Sequence, residues 1–208
     1  MVGRQSIMAS PSNGCEAVVI GASAGGFKVF SAILEALPPV FSMPLLLVQH
    51  LHQYDNGAFA AHLAAASRLP VIEPYDKDLI EPGNVYIAPA GYHMLVEQGG
   101  TIALSTEGKV NWSRPSIDVL FESAARTWGE RMIAVIMSGA SSDGTIGIQA
   151  VKSAGGLTIA QNPDTAEYPF MPQAAINSGA VDEVLTIEEI IARIVSLPLP
   201  GKSQQLNN

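Results

Sequence analysis

The sequence predicts an α/β fold, a doubly wound, mostly parallel sheet with helices on both faces and a small antiparallel hairpin excursion. Three observations carry the prediction. Apolar runs of strand length at residues 17–21, 44–49, 132–137 and 157–161 are near-continuous in Val, Ile, Leu and Met. That is the pattern of strands covered on both faces, as in parallel sheets. Segments with apolar residues at helical spacing lie between these runs. Residues 71–104 differ, with short β-like pieces at 85–88, 94–97 and 101–104 separated by Pro82-Gly83, Pro89 and Gly99-Gly100. Such punctuation marks an antiparallel hairpin or edge excursion.

The helices follow in order. Phe30, Ile33, Leu34 and Leu37 recur at i, i+3, i+4, i+7 and define the first. A second follows Asp55, read as its N-cap, and uses Phe59 and Leu63. A third starts at Ser116 and puts Ile117, Leu120, Phe121, Ala124 and Trp128 on one face. A fourth follows Asp143 with Ile148 and Val151 as core residues, and a last one covers residues 187–195. The 208 residues suit one domain, expected over 15–197. Residues 1–14 and 198–208, rich in Ser, Asn, Gln, Gly and Pro, are expected to be flexible tails.

Composition narrows the function. Hydrophobic residues make up 48%, enough for a full core. The net charge of −8, from 11 basic and 19 acidic residues, argues against a nucleic-acid partner, which needs a basic face. Cys15 stands alone, so no internal disulfide forms and a reducing compartment is the simple reading. The start of the chain lacks the apolar segment of a signal peptide. The longest uncharged stretch, 36–54, contains Pro38, Pro39 and Pro44 and reads as loop plus buried strand rather than a membrane span. The expectation is a cytoplasmic protein with no membrane insertion.

In doubly wound sheets ligands bind beyond the carboxyl ends of the strands. After the first strand comes Gly21-Ala22-Ser23-Ala24-Gly25-Gly26, after the second Gln49-His50, and after the strand at 132–137 Ser138-Gly139-Ala140-Ser141-Ser142-Asp143-Gly144. A serine, a histidine and an aspartate therefore meet at one sheet edge, the residue types of a serine acyl-transfer site. Gly21-Ala22-Ser23-Ala24-Gly25 fits the G-x-S-x-G elbow, whose small residues let a serine sit on a sharp strand-to-helix turn. The bland readings stay open: Ser23 as a helix N-cap, His50 as a buried histidine satisfied by a carbonyl, Asp143 as the N-cap of the helix after it. A dinucleotide loop would want glycine at Ser23 and an acid after the second strand. His50-x-His52 could begin a metal site, yet no Cys or carboxylate cluster joins it. His62 sits within a helix, and His93 lies in the irregular excursion and could approach the site. Asp118 falls in a first helical turn, where the dipole favours an acid, and Asp164 is read as capping a turn.

These motifs together resemble the chemotaxis receptor methylesterases (CheB-type catalytic domains). Residues 19–26 are similar to the nucleophile signature of that family, Val48-Gln49-His50 to its histidine strand and residues 138–144 to its aspartate loop. Tyr86-Ile87-Ala88-Pro89 with His93-Met94, the run 114–121 beginning Arg114-Pro115-Ser116, and Thr158-Ile159-Ala160-Gln161-Asn162 are similar too, in the same order. The resemblance covers about residues 17–184. It implies that Ser23 is the nucleophile, His50 the general base and Asp143 the acid that orients it. It implies an oxyanion hole from the backbone N–H groups of Ala140 and Ala24. It further implies glutamate methyl esters on the cytoplasmic helices of methyl-accepting chemoreceptors as substrates, deamidation of glutamines by the same route, and no metal or organic cofactor. Arg114 matches a position near the site and could bind the acidic neighbours of a methylated glutamate; the other reading is a surface arginine before a helix.

The sequence departs from the family's pattern at three places. Ala140 stands where methionine is usual, Ala24 where threonine is common, and Leu51-His52-Gln53-Tyr54 where a proline-rich turn is frequent. Only about 16 residues precede the first strand, too few for the receiver domain of the usual members, so the expectation is a stand-alone catalytic domain or a fragment of a longer chain, active without phosphorylation and controlled in trans by expression, localisation at receptors or a regulatory protein. A serine hydrolase of another ester or amide, and a catalytically silent binding or scaffold domain, are the alternatives.

Overall fold

A computed structural model describes residues 15–197, so both predicted tails lie outside the described residues. Seven strands form one sheet: β1 (Ala17–Ala22), β2 (Leu45–Gln49), β3 (Val71–Ile72), β4 (Val85–Ile87), β7 (Met132–Ile136), β8 (Leu157–Gln161) and β9 (Glu183–Leu185). Their order is β3-β4-β2-β1-β7-β8-β9, and every pairing is parallel. The hairpin β5 (His93–Val96) and β6 (Ile102–Ser105) forms a separate two-stranded antiparallel sheet. The excursion is therefore smaller than expected. The piece at 85–88 belongs to the main sheet, between β3 and β2, and only the pieces near 94–97 and 101–104 make the hairpin.

Alternate residues of the central strands feed two separate cores, which is why their sequences are apolar without alternation. Val18, Ile20, Leu45 and Leu47 face one side, under α1 (Gly26–Ala36), α2 (Ala58–Ala66) and α6 (Ile187–Val195). Val19, Leu46 and Val48 face the other, under α3 (Ile117–Trp128), α4 (Thr145–Ser153) and α5 (Phe170–Asn177). The hairpin rides on α3, where Ser123 Oγ accepts the Val96 N–H at 3.0 Å in a buried setting. From β1 the sheet extends on one side through β2, β4 and β3 and on the other through β7, β8 and β9. The switch point lies at the carboxyl end of β1.

Local expectations fail where a side chain has a different partner. Asp55 is not the N-cap of α2; its Oδ1 accepts the Gly57 N–H at 3.0 Å, and Gly57, at φ 89°, occupies the cap. Asp164 does not cap its turn; Asn162 does, accepting the Asp164 N–H at 3.0 Å. The short helix α5 and the strands β3 and β9 have no clear signal in the sequence. Pro172 sits in the first turn of α5, where its missing N–H costs no helical bond, and β9 is a three-residue piece with a charged end.

The close approach of α3 and α4 positions the site. A Cβ on Gly147 would sit 2.6 Å from Phe121 Cβ and 3.2 Å from Asp118 Cα, atoms that cannot swing aside. Alanine at a helix position gains about 1 kcal/mol over glycine in propensity, whereas overpacking costs about 1–3 kcal/mol. Gly147→Ala is expected to lose net stability in urea unfolding, and a raised midpoint would show that the α3–α4 interface can yield.

Candidate active site

The turn after β1 is fixed by its backbone. The Ser23 N–H donates to the Ser138 carbonyl at 3.0 Å, and the Ser23 carbonyl accepts from the Gly26 N–H at 2.9 Å and Gln49 Nε2 at 2.8 Å. Gly25 has φ 79°, and a Cβ there would stand 2.8 Å from Ser138 Oγ, so both conformation and space call for glycine. Ser138 Oγ donates to the Ala24 carbonyl at 2.8 Å and accepts from the Tyr168 N–H at 3.0 Å. The Ser138 N–H in turn donates to Gln161 Oε1 at 2.9 Å. This pins the Ser23 turn to the loop after β7. Within the described residues, the Ala24 and Ala140 N–H groups donate to no backbone carbonyl.

His50 follows β2, and its Nε2 lies 2.7 Å from Asp143 Oδ2. The Asp143 carboxylate is fully buried and collects four further donors. Oδ2 accepts the Ile117 N–H at 2.7 Å; Oδ1 accepts Ser116 Oγ–H at 2.8 Å, Asn111 Nδ2 at 3.0 Å and the Asp118 N–H at 3.2 Å. Burial pushes this carboxyl up, but the donors from His50, Asn111, Ile117 and Ser116 outweigh it and hold the group down at about 2. An anion at Oδ2 can only accept, so His50 carries its ring proton on Nε2 and keeps Nδ1 as a base. His50 Nδ1 stands 3.4 Å from Ser113 Oγ. The Ser23 hydroxyl makes no hydrogen bond among the described residues, so acid and base are joined while base and serine are not. Catalytic hydrogen bonds are often loose before substrate binds.

Asp143 therefore does not cap α4, the helix it precedes, where Gly144 at φ 95° occupies the cap. It caps α3. Asp118, in the first turn of α3, does the reverse: its Oδ1 accepts the Gly147 N–H of α4 at 2.7 Å. The two acids exchange helices, and Asn111 Nδ2 bridges them, 2.7 Å from Asp118 Oδ2. Burial pushes the Asp118 carboxyl up to about 6, and the neighbouring Asp143 charge adds to the rise against the Gly147 and Asn111 donors. A dipole reading of Asp118 from its own helix missed this, since the sequence carries no sign of which helix a side chain will cap.

Other candidates fall elsewhere. His52 is exposed, its ring 5.2 Å from that of Tyr54 and tilted by 50° to it, and His62 is exposed on α2, where its ring bonds to the Ala58 carbonyl. His93 is buried, with Nε2 3.1 Å from the Gly108 carbonyl. No cluster of His, Cys, Asp and Glu suited to a metal occurs among the described residues. Arg114 borders a shallow pocket with His50 and Leu51, and its Nη1 donates to the Thr106 and Glu107 carbonyls at 2.6 and 2.7 Å. The glycines flanking the site do not leave open room: a Cβ on Gly26 would collide with Gln49, and one on Gly144 with Ile136. Open space lies instead beside Ala140, in an apolar hollow of about 420 Å³ bordered by Tyr168, Phe170 and Ala174.

The raised Asp118 titration has a stability consequence. In the unfolded chain an aspartate titrates near 3.9, so between about pH 4 and 6 the folded protein binds more protons. Stability from this group therefore falls as pH rises through that window. Asp118→Asn cannot titrate, so the stability of the parent relative to the variant should be greater at pH 4.5 than at pH 7.5 in urea unfolding. An equal difference at both values would mean that Asp118 titrates as an exposed acid does.

The sequence and the fold are shared with known proteins. Residues 18–194 match the family model described as CheB methylesterase. A relative from Leptospira interrogans is 42% identical over 182 residues, covering 88% of this chain and 94% of its own. A protein of Anaeromyxobacter dehalogenans named protein-glutamate methylesterase/protein-glutamine glutaminase 6 is 41% identical over 184 residues, 85% of this chain, which spans 53% of that longer relative. The crystal structure of the Thermotoga maritima CheB methylesterase catalytic domain superposes with a TM-score of 0.83 at 35% identity, covering 87% of this chain and 97% of that one. With a family model matched along most of its length and a shared fold at substantial identity, this chain belongs to the CheB methylesterase family.

Proposed function

We propose that this protein hydrolyses glutamate γ-methyl esters, and glutamine side-chain amides by the same route, on the cytoplasmic helices of chemoreceptors. The observation that carries the reading is the 2.7 Å bond from His50 Nε2 to a buried, five-donor Asp143 beside the Ser23 turn. A satisfied core histidine needs no buried anion, whereas a general base that becomes an imidazolium does. The names of family relatives supply the substrate class.

In this reading Ser23 Oγ attacks the ester carbonyl, and His50 Nδ1 takes its proton. The tetrahedral oxyanion is held by the Ala24 and Ala140 N–H groups, each worth about 3–4 kcal/mol in comparable sites. His50 gives the proton to departing methanol, leaving an acyl group on Ser23. Water, deprotonated by the same base, then releases glutamate and restores the serine. Gln49 and Gly26 support the hole, because their N–H groups hold the Ser23 carbonyl and so the plane of the peptide that carries the Ala24 N–H. Alanine at 140 keeps the donor, and the apolar hollow beside it would receive a side chain neighbouring the ester on a helical substrate. Arg114 would face acidic neighbours from the opposite rim, and a regulatory protein would act in trans.

Ser23→Ala and His50→Ala should each lower turnover by about 10⁴–10⁶, and the double variant should lose no more, since the residues act as one unit. Methanol release from methylated receptor membranes measures this. Near-normal turnover by His50→Ala would remove the base assignment, and loss of turnover with chelator would point to a metal. Specificity gives a second test: the rate constant for receptor membranes should exceed that for free glutamate methyl ester, and equality would point to a small-molecule esterase.

A further inference from the structure

We propose that Asn111 is a positioning residue of the triad: its amide, donating at once to Asp143 and Asp118, fixes the orientation of the acid that holds His50. The inference rests on the hydrolase reading for its catalytic consequence, though not for the carboxylate pairing itself.

Two unlinked observations support it. The first is the bridge. Asn111 Nδ2 lies 2.7 Å from Asp118 Oδ2 and 3.0 Å from Asp143 Oδ1. Each of its two amide protons can serve one acid, and no other side chain among the described residues donates to both. Two carboxylates this close would otherwise compete for one proton, and a proton on Asp143 would leave the imidazolium form of His50 without its counter-charge. The second is the backbone that carries the amide. Val110 and Ser113 exchange N–H···O bonds of 3.1 and 2.9 Å across a two-residue turn, with Asn111 at φ 49° and Trp112 at φ 65°. Both central residues of such a hairpin must adopt the left-handed region, which asparagine tolerates and a bulky residue does not. The Trp112 side chain is 93% exposed, so its own packing does not explain the conformation. The strained turn places Asn111 over the acids and Ser113 Oγ at His50 Nδ1, touching acid and base from one rigid loop.

The groups that face this pair come from four elements. His50 arrives from the turn after β2. The Ser116 hydroxyl and the Ile117 and Asp118 N–H groups come from the start of α3, the Gly147 N–H from α4, and Asn111 from its turn. Removing the Asn111 amide takes a donor from both anions, so both carboxyls titrate higher. The effect should appear in kcat and in its acid limb, with KM nearly unmoved, because the Asn111 amide is engaged by the two carboxylates.

The test is Asn111→Gly, which removes the amide and suits the left-handed turn, with Asn111→Asp as an isosteric second variant. On methyl ester substrate, kcat should fall about tenfold or more and the acid limb of its pH profile should move to higher pH, as expected for loss of a hydrogen bond to a charged group. Carboxyl NMR titration of the purified chain reads the pair without turnover: in the parent Asp118 takes up a proton well before Asp143, and in either variant both titrations should move upward. Unchanged kcat and acid limb in both variants, an effect confined to KM, or unchanged carboxyl titrations would overturn the proposal. If the parent itself showed no turnover dependent on Ser23, the hydrolase reading would fall while the titration still decided the role of Asn111.

Discussion

The exchange of caps between α3 and α4 is the interaction on which the site depends. Asp143 lies at the entrance to α4 but satisfies the first N–H groups of α3, and Asp118 in α3 satisfies an N–H of α4. Helix starts leave orphan donors that need partners when buried. Here the partners are crossed, so neither helix can shift without releasing a donor of the other. The crossing requires the helices to touch, which Gly147 allows by lacking a Cβ against Phe121. A buried anion surrounded by four donors is then already in place, and His50 adds the fifth at Oδ2.

The two carboxylates show how environment divides roles between like groups. Both are buried within a few ångströms of one another, and burial drives both upward. Asp143 receives enough donors to reverse that drift; Asp118 does not and absorbs the repulsion of its neighbour. Asp143 thereby stays charged where the histidine can use it. The serine side of the site is organised differently, through Ser138 and Gln161, which tie the Ser23 turn to the loop after β7 by hydrogen bonds to backbone groups. One network sets the base, and the other sets the turn that carries the serine.

The sequence alone determined the layered fold, because unbroken apolar strands can exist only between two helical layers, and the helical spacing of residues such as Ile117, Leu120, Phe121 and Ala124 follows from the 3.6-residue turn. It also placed Ser23, His50 and Asp143 at one sheet edge, since the carboxyl ends of parallel strands converge there. Periodicity could not assign residues 85–87 to the main sheet, because a three-residue apolar piece reads alike in a hairpin and in a parallel strand. It could not find α5, whose buried residues include a proline. Tertiary structure alone decided the partners of the polar groups. Asn111, Ser113, Ser138 and Gln161 look like ordinary loop and strand residues, and Asp118 looks like a helix-start acid, because a hydrogen bond between residues distant in sequence has no period. Chain topology brings the ends of β1, β2 and β7 to one sheet edge, but only three-dimensional contact shows which donors hold the Asp143 acid charged.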